Sequence, residues 1–228
     1  MQKAVEHLLR NPAIQRLGSS VLMPQSRPST GFPELDTVLP GGGWPSGCLI
    51  EILSEHEGIG ELSLLMPALA ALSKESRWIA WVSPPHIPYG PALVDHDVEL
   101  ARVLLVHARP GKDALWAAEQ GLISSTCSTV LAWPGEMLDD RALRRLQLAA
   151  EKGDSSGFVF RSSKHVTASS PAALRLMLEP TAEGLLVQVL KCRGAAGATV
   201  LVEMDDALVE PVFPRVPPKY PRPRCLHH

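Results

Sequence analysis

The chain has 228 residues, 45% hydrophobic and 20% charged, with a formal net charge of −2, which suits one sizeable buried core and excludes a disordered chain. Its longest apolar stretch, 62–72, contains Pro67 and is too short to span a bilayer, and no signal-peptide layout is present, so a soluble, cytoplasmic protein with no membrane partner is expected. Four scattered cysteines, Cys48, Cys127, Cys192 and Cys225, form no CxxC pair, which argues against a zinc ribbon or a disulfide framework and predicts reduced thiols and no metal.

In chain order, VEHLLRNPAIQRL places Val5, Leu8 and Leu9 on one face of a short helix, and Pro12 begins a new turn. The Ser-, Pro- and Gly-rich GSSVLMPQSRPSTG then reads as an extended arm. Residues 1–28 are therefore expected to form an N-terminal helix and arm. The core is expected over 29–210. It opens with a short helix from Pro33 to Val38, a glycine turn and the buried strand CLIEIL. SEHEGIGE is a loop and LSLLMPALAALSKES a helix; RWIAWVS is a strand and PPHIPYGPALV a proline-rich crossover into a short helix. ARVLLVHA and TVLAW are strands flanking the helix KDALWAAEQGLIS, and the amphipathic helix DDRALRRLQLAAEKG leads to the strand GFVFRS. This alternation predicts a doubly wound, mostly parallel α/β sheet with helices on both faces. AALRLMLEP, GLLVQVLKCRG and ATVLVEM lack intervening helices and predict an antiparallel extension at one sheet edge. Residues 211–228 hold six prolines and four cations, Arg215, Lys219, Arg222 and Arg224, with no acid, so a basic, extended tail follows a mildly acidic body.

Several spaced features occur in one order: Ser29-Thr30-Gly31, Glu34-Leu35-Asp36, Leu39-Pro40-Gly41-Gly42-Gly43, Pro45 and Gly47, then Ile50-Glu51-Ile52-Leu53 and Gly58-Ile59-Gly60-Glu61-Leu62-Ser63. Together they resemble the opening of the RecA/RadA/KaiC recombinase-like ATPase core, which implies a RecA-like fold. In that family's phosphate loop, backbone amides cradle phosphates, a lysine neutralises their charge and a hydroxyl holds Mg²⁺. Here Glu55 stands for the first glycine, Glu61 for the lysine and Leu62 for the hydroxyl residue, with Ser63 one position late. At about 4 Å and an effective dielectric of about 20, each opposed charge pair amounts to roughly 4 kcal/mol. ATP binding is therefore expected to be abolished. Pro84-Pro85 follow the strand where the family carries a water-activating glutamate, and Trp133 stands where it carries a Mg²⁺-orienting aspartate. The comparison implies a pseudo-enzyme without catalytic residues or cofactor. Glu136 is the nearest carboxylate to the second gap.

The segments LSLLMPALAALSKESRWIAWVSPP, ARVLLVHARPGKDALWAAEQGL and GFVFR also resemble SulA, a non-ATPase relative of RecA. SulA-like middle sequence between RecA-like ends is similar to the ImuA family. That resemblance implies an adaptor of the SOS-induced mutasome, supporting translesion DNA synthesis with ImuB and an error-prone replicative-type DNA polymerase, with RecA and DNA as further contacts. The alternatives are a SulA-like division inhibitor that binds FtsZ and a divergent RecA-like ATPase.

The remaining chemistry-bearing residues have structural and functional readings side by side. Trp78 and Trp81, three apart on a strand, face opposite sides of the sheet and read as core rather than as a base-stacking platform. Asp95-His96-Asp97 with His86 and His107 matches no metal-ligand spacing. Arg141, Arg144 and Arg145 form either a solvent face paired with Asp139, Asp140 and Glu151 or a partner-binding or phosphate-binding helix face. Lys191 and Arg193, with Gly194, fall where RecA-like proteins send a strand and loop towards a neighbouring subunit or DNA. The tail cations with Tyr220 suit a phosphate backbone or an acidic groove. Val21-Leu22-Met23 in the arm are candidates for homo-oligomer contact, as the RecA-like layout implies.

Overall fold

The strand β1 (Leu49–Ser54) buries five of its six residues. Burial on both faces places such a strand at the centre of a parallel sheet. In the computed structural model, which describes residues 28–135, 138–192 and 197–204, β1 lies between β5 (Ser156–Ser162) and β6 (Leu174–Thr181) and is parallel to both. On one side stand β2 (Trp78–Val82), β3 (Val103–Val106) and β4 (Cys127–Ala132), and on the other β7 (Gly184–Lys191) and β8 (Thr199–Glu203). The order is β3-β2-β4-β5-β1-β6-β7-β8. The fold is mixed α/β, with an eight-stranded, mostly parallel sheet among the described residues.

The antiparallel part is smaller than the sequence alternation predicts. β6 pairs in parallel with β1, Arg175 opposite Glu51, and antiparallel pairing begins only between β6 and β7. Alternation reads alike in both directions, and the crossover that permits the parallel return, 163–173, contains one 3-10 turn (Ser163–His165) and no α-helix.

Helices cover both faces. α1 (Pro33–Val38), α2 (Met66–Ser73) and α3 (Gly90–Asp95) contribute Leu35, Leu69 and Leu93 to a core with Ile50, Ile52, Trp81 and Phe158. α4 (Lys112–Ile123) and α5 (Asp140–Gly153) contribute Ala114, Ala118, Leu122, Leu143, Leu146 and Ala150 to a second core with Leu49, Val130 and Val159. Pro67 fits the first turn of α2, and the residues before it, Ser63–Leu65, form a 3-10 turn rather than α-helix.

α5 is the most regular of these elements because its apolar positions recur at helical spacing and both ends are closed. Asp139 caps it, the carboxylate accepting from the Ala142 amide at 2.8 Å. At the other end Asp154 takes a left-handed φ of 48°, and Arg77 donates to the carbonyls of Gly153, at 3.1 Å, and Asp154, at 2.8 Å. A Cβ on Gly153 would lie 1.8 Å from the Leu122 carbonyl oxygen. Only glycine lets α4 and α5 meet there. Among the described residues no helix is long and apolar enough to cross a membrane.

Candidate functional site

The loop that leaves β1 is where the sequence places the degenerate phosphate-binding site. Glu55, His56 and Glu57 are exposed at its tip, and Gly58 and Gly60 turn the chain with φ of 76° and 106°. Glu61 then folds back beneath its own loop. Its side chain is buried, and its two oxygens accept from the amides of Gly58 and Ile59, each at 2.8 Å. These are the kind of donors that a phosphate loop offers to its anion. Here an internal carboxylate takes them. Leu62 and Ser63 are buried at the start of the following turn.

The neighbouring strand ends are filled with aromatic rings. Trp133, just after β4, stacks on Phe160 of β5 with centroids 4.3 Å apart and planes within 4°. Trp81 lies 6.0 Å from Trp133. Stacked and tilted contacts of this kind stabilise an apolar cluster, and Trp133 is buried at the position where the resemblance would put a metal-orienting carboxylate. Pro84 and Pro85 follow β2 outside the core, Pro84 half-buried and Pro85 exposed. The segment holding Glu136 lies outside the described residues. Trp81 belongs to the core on the α1–α3 side, whereas the half-buried Trp78 packs against the other core, with the Arg102 guanidinium 5.8 Å from its ring centre. The two indoles therefore face opposite sides of the sheet.

A second charged cluster has no counterpart among the sequence candidates. Glu51 of β1 is fully buried and accepts from Arg161 Nη1 at 3.0 Å, Ser170 Oγ at 3.0 Å and Arg175 Nε at 2.6 Å. The arginines reach further: Arg161 donates to the Leu138 carbonyl at 3.0 Å, and Arg175 to the carbonyls of His165 at 2.8 Å and Ala168 at 2.9 Å. This cluster ties β1, β5 and β6 to the crossover 163–173. The signal was present as one acid and two bases inside otherwise apolar strands, I-E-I, F-R-S and L-R-L.

The other candidates separate. Arg141, Arg144 and Arg145 are all exposed on α5, but Arg145 pairs with Glu119 of α4 rather than with Asp139, Asp140 or Glu151. Lys191 is exposed and donates to the Ser170 carbonyl at 2.7 Å, holding the crossover. Asp97 pairs with Lys74 at 3.0 Å, and no group of three potential metal ligands occurs among the described residues. Burial pushes the Cys127 thiol above its ordinary range, against the smaller opposing pull of Thr126, Ser124 and Arg77. Val21, Leu22, Met23, Arg193, Arg215, Lys219, Tyr220, Arg222 and Arg224 lie outside the described residues. At the opposite end of the sheet from the phosphate-like loop, a cavity of about 350 Å³ is lined by Leu39, Pro45, Cys48, Gln147, Leu174 and Cys192.

Comparison with known proteins falls on the middle of the chain. The family described as Cell division inhibitor SulA matches residues 47–157. The SulA proteins of Yersinia pestis (strain Pestoides F) and Yersinia pseudotuberculosis (serotype O:1b, strain IP 31758) are each 32% identical over 117 residues, covering 51% of this chain and 68% of the relative. The crystal structure of SulA from Pseudomonas aeruginosa is 29% identical and covers 52% of this chain and 100% of its own, with a TM-score of 0.43. The matched family span runs from the residues before β1 to the start of β5, leaving α1 and β6–β8 outside it.

Proposed function

The chain belongs to the SulA family, and from that premise we propose that it is a non-catalytic, partner-binding protein of the SOS response built on a RecA-like, doubly wound core. The observation that carries this reading is the seat of Glu61, whose carboxylate takes the amides of Gly58 and Ile59. A triphosphate would have to displace that carboxylate and then lie against its charge, with no lysine in compensation. The buried Trp133 and the Pro84-Pro85 step support the same conclusion from two other positions. Titration with a fluorescent ATP analogue and Mg²⁺ tests it. No saturable binding is expected, and micromolar affinity would restore the divergent-ATPase reading.

The partner reading that uses the whole fold is an ImuA-type adaptor, acting with ImuB and an error-prone replicative-type polymerase in translesion synthesis, with RecA and DNA as further contacts. What supports it is the ordered chain beyond the family match: α1 before it, and β6–β8 after it, locked to β1 through Arg175 and Glu51. In this reading 29–210 is the working core, 1–28 an oligomerisation arm, and the basic 211–228 a contact for phosphates or an acidic groove. Co-purification with ImuB, with and without 211–228, tests it; failure of the full chain to retain ImuB would sink it. A second reading is favoured by the family match itself, whose relatives are described as cell division inhibitors. There the partner is FtsZ, and reduced sedimentation of FtsZ polymer on adding the protein would select it.

A further inference from the structure

The cavity of about 350 Å³ lies where the parallel strands begin, and its size is that of a ligand pocket, about 300–1,000 Å³. Its wall is largely apolar. Leu39, Pro40 and Pro45 come from the loop between α1 and β1, Cys48 from the entry to β1, and Leu174 from the start of β6. The polar side chains at its edge already have partners. Gln147 accepts from the Leu49 amide at 3.0 Å and donates to Glu151 at 2.8 Å, and the Cys48 thiol donates to the Pro45 carbonyl at 3.7 Å. Glu151, the single charged residue among those lining the cavity, is exposed and keeps one oxygen on Gln147. Such a wall favours an apolar occupant over a polar one, whose lost hydration it would not repay.

The chain reaches this cavity from Pro28. The Pro28 carbonyl accepts from the Trp44 amide at 2.9 Å, and a Cβ on Gly43 would come within 2.4 Å of the same oxygen. Gly43 also lines the cavity, so residues 1–27 leave the core beside its wall. Between Gly18 and Pro28 the sequence holds one apolar run, Val21-Leu22-Met23, with Ser19 and Ser20 before it and Gln25, Ser26 and Arg27 beyond Pro24. Pro24 favours extended backbone at Met23. Met23 is five Cα steps from Pro28, a reach of at most about 17 Å at roughly 3.4 Å per residue. A tether that short holds its end at millimolar effective concentration. A seat that takes the free segment at only about 0.1 mM is then about nine-tenths filled.

We propose that the cavity is the seat of Val21-Leu22-Met23 of the same chain, whose apolar side chains pack against Leu39, Pro40, Pro45 and Leu174. This seat needs neither ImuB nor FtsZ, so it stands apart from the partner readings above, and it leaves residues 1–20 for oligomer contact. The test uses the full chain and reads alkylation of Cys192, half-buried in the cavity wall, by iodoacetamide, with the rate at each cysteine taken from peptide masses. The variant Val21→Ser/Leu22→Ser/Met23→Ser should raise the Cys192 rate about tenfold. Cys127, buried in the core on the other side of the sheet, should react as slowly as before. Leu22→Met should keep the native rate, and a free peptide of residues 19–26 added at millimolar concentration should restore protection to the serine variant. Protection of the native chain should also survive dilution by about a hundredfold, as an intramolecular seat requires. An unchanged Cys192 rate in the serine variant, equal acceleration at Cys127, or no protection by the free peptide would each overturn the assignment. Protection that fades on dilution would overturn it in favour of the segment of a second copy.

Discussion

Two buried glutamates, Glu51 within β1 and Glu61 just after it, use the same chemistry on very different scales. Glu61 is satisfied locally, by amides two and three residues back. Glu51 is satisfied by Arg161, Ser170 and Arg175, more than a hundred residues away in sequence. The local carboxylate holds one loop, whereas the distant one ties β1 to the side chains of β5 and β6. Their loss therefore has unequal consequences, because removing Glu51 strands two buried cations and removing Glu61 uncovers two amides beside solvent.

The sharpest way to break this contrast is Glu51→Ala. Stranding Arg161 and Arg175 should lower the unfolding free energy by about 3–5 kcal/mol, read from the urea midpoint. A loss below about 1 kcal/mol would mean that the arginines hold β5 and β6 without it. Glu61→Ala should cost less, about 1–2 kcal/mol, since water reaches the exposed Gly58. Hydrogen exchange should speed up at Gly58 and Ile59 while the β1 amides stay protected; acceleration along β1 would show that the loop is not an independent unit. Asp139→Ala removes a local carboxylate-to-amide bond of the same kind from α5 and should cost about 1 kcal/mol by the same denaturation measurement. Smallest is Arg145→Ala, which breaks the bridge to Glu119 at the surface. Less than about 1 kcal/mol is expected, shrinking as salt is added, and a salt-independent loss would point to packing rather than charge.

Most of the strand and helix sequence was legible because its signals are local. The continuous apolar run of β1, the cap and helical period of α5, and the glycine turns each act within a few residues. The loss of lysine at position 61 was legible too, but not the destination of its replacement. Reading Glu61 as a charge aimed at a phosphate missed its return onto Gly58 and Ile59, since a side chain's direction depends on the loop's three-dimensional path. The direction of β6 was illegible for a related reason. Arg175 reads as a polar position on an edge strand until Glu51 is known to lie opposite it. Pairing of Arg145 with Glu119 rather than with its own helix likewise depends on how closely Gly153 lets α4 approach α5.

The stack of Trp133 on Phe160, with Trp81 6.0 Å from Trp133, has a practical consequence. Two indoles at that separation exchange excitation, and their coupled circular-dichroism and fluorescence signals arise at the strand ends beside the Glu61 loop. The chain thus carries a native optical gauge at that place, able to register a rearrangement of the loop or a partner pressing on it without any attached dye.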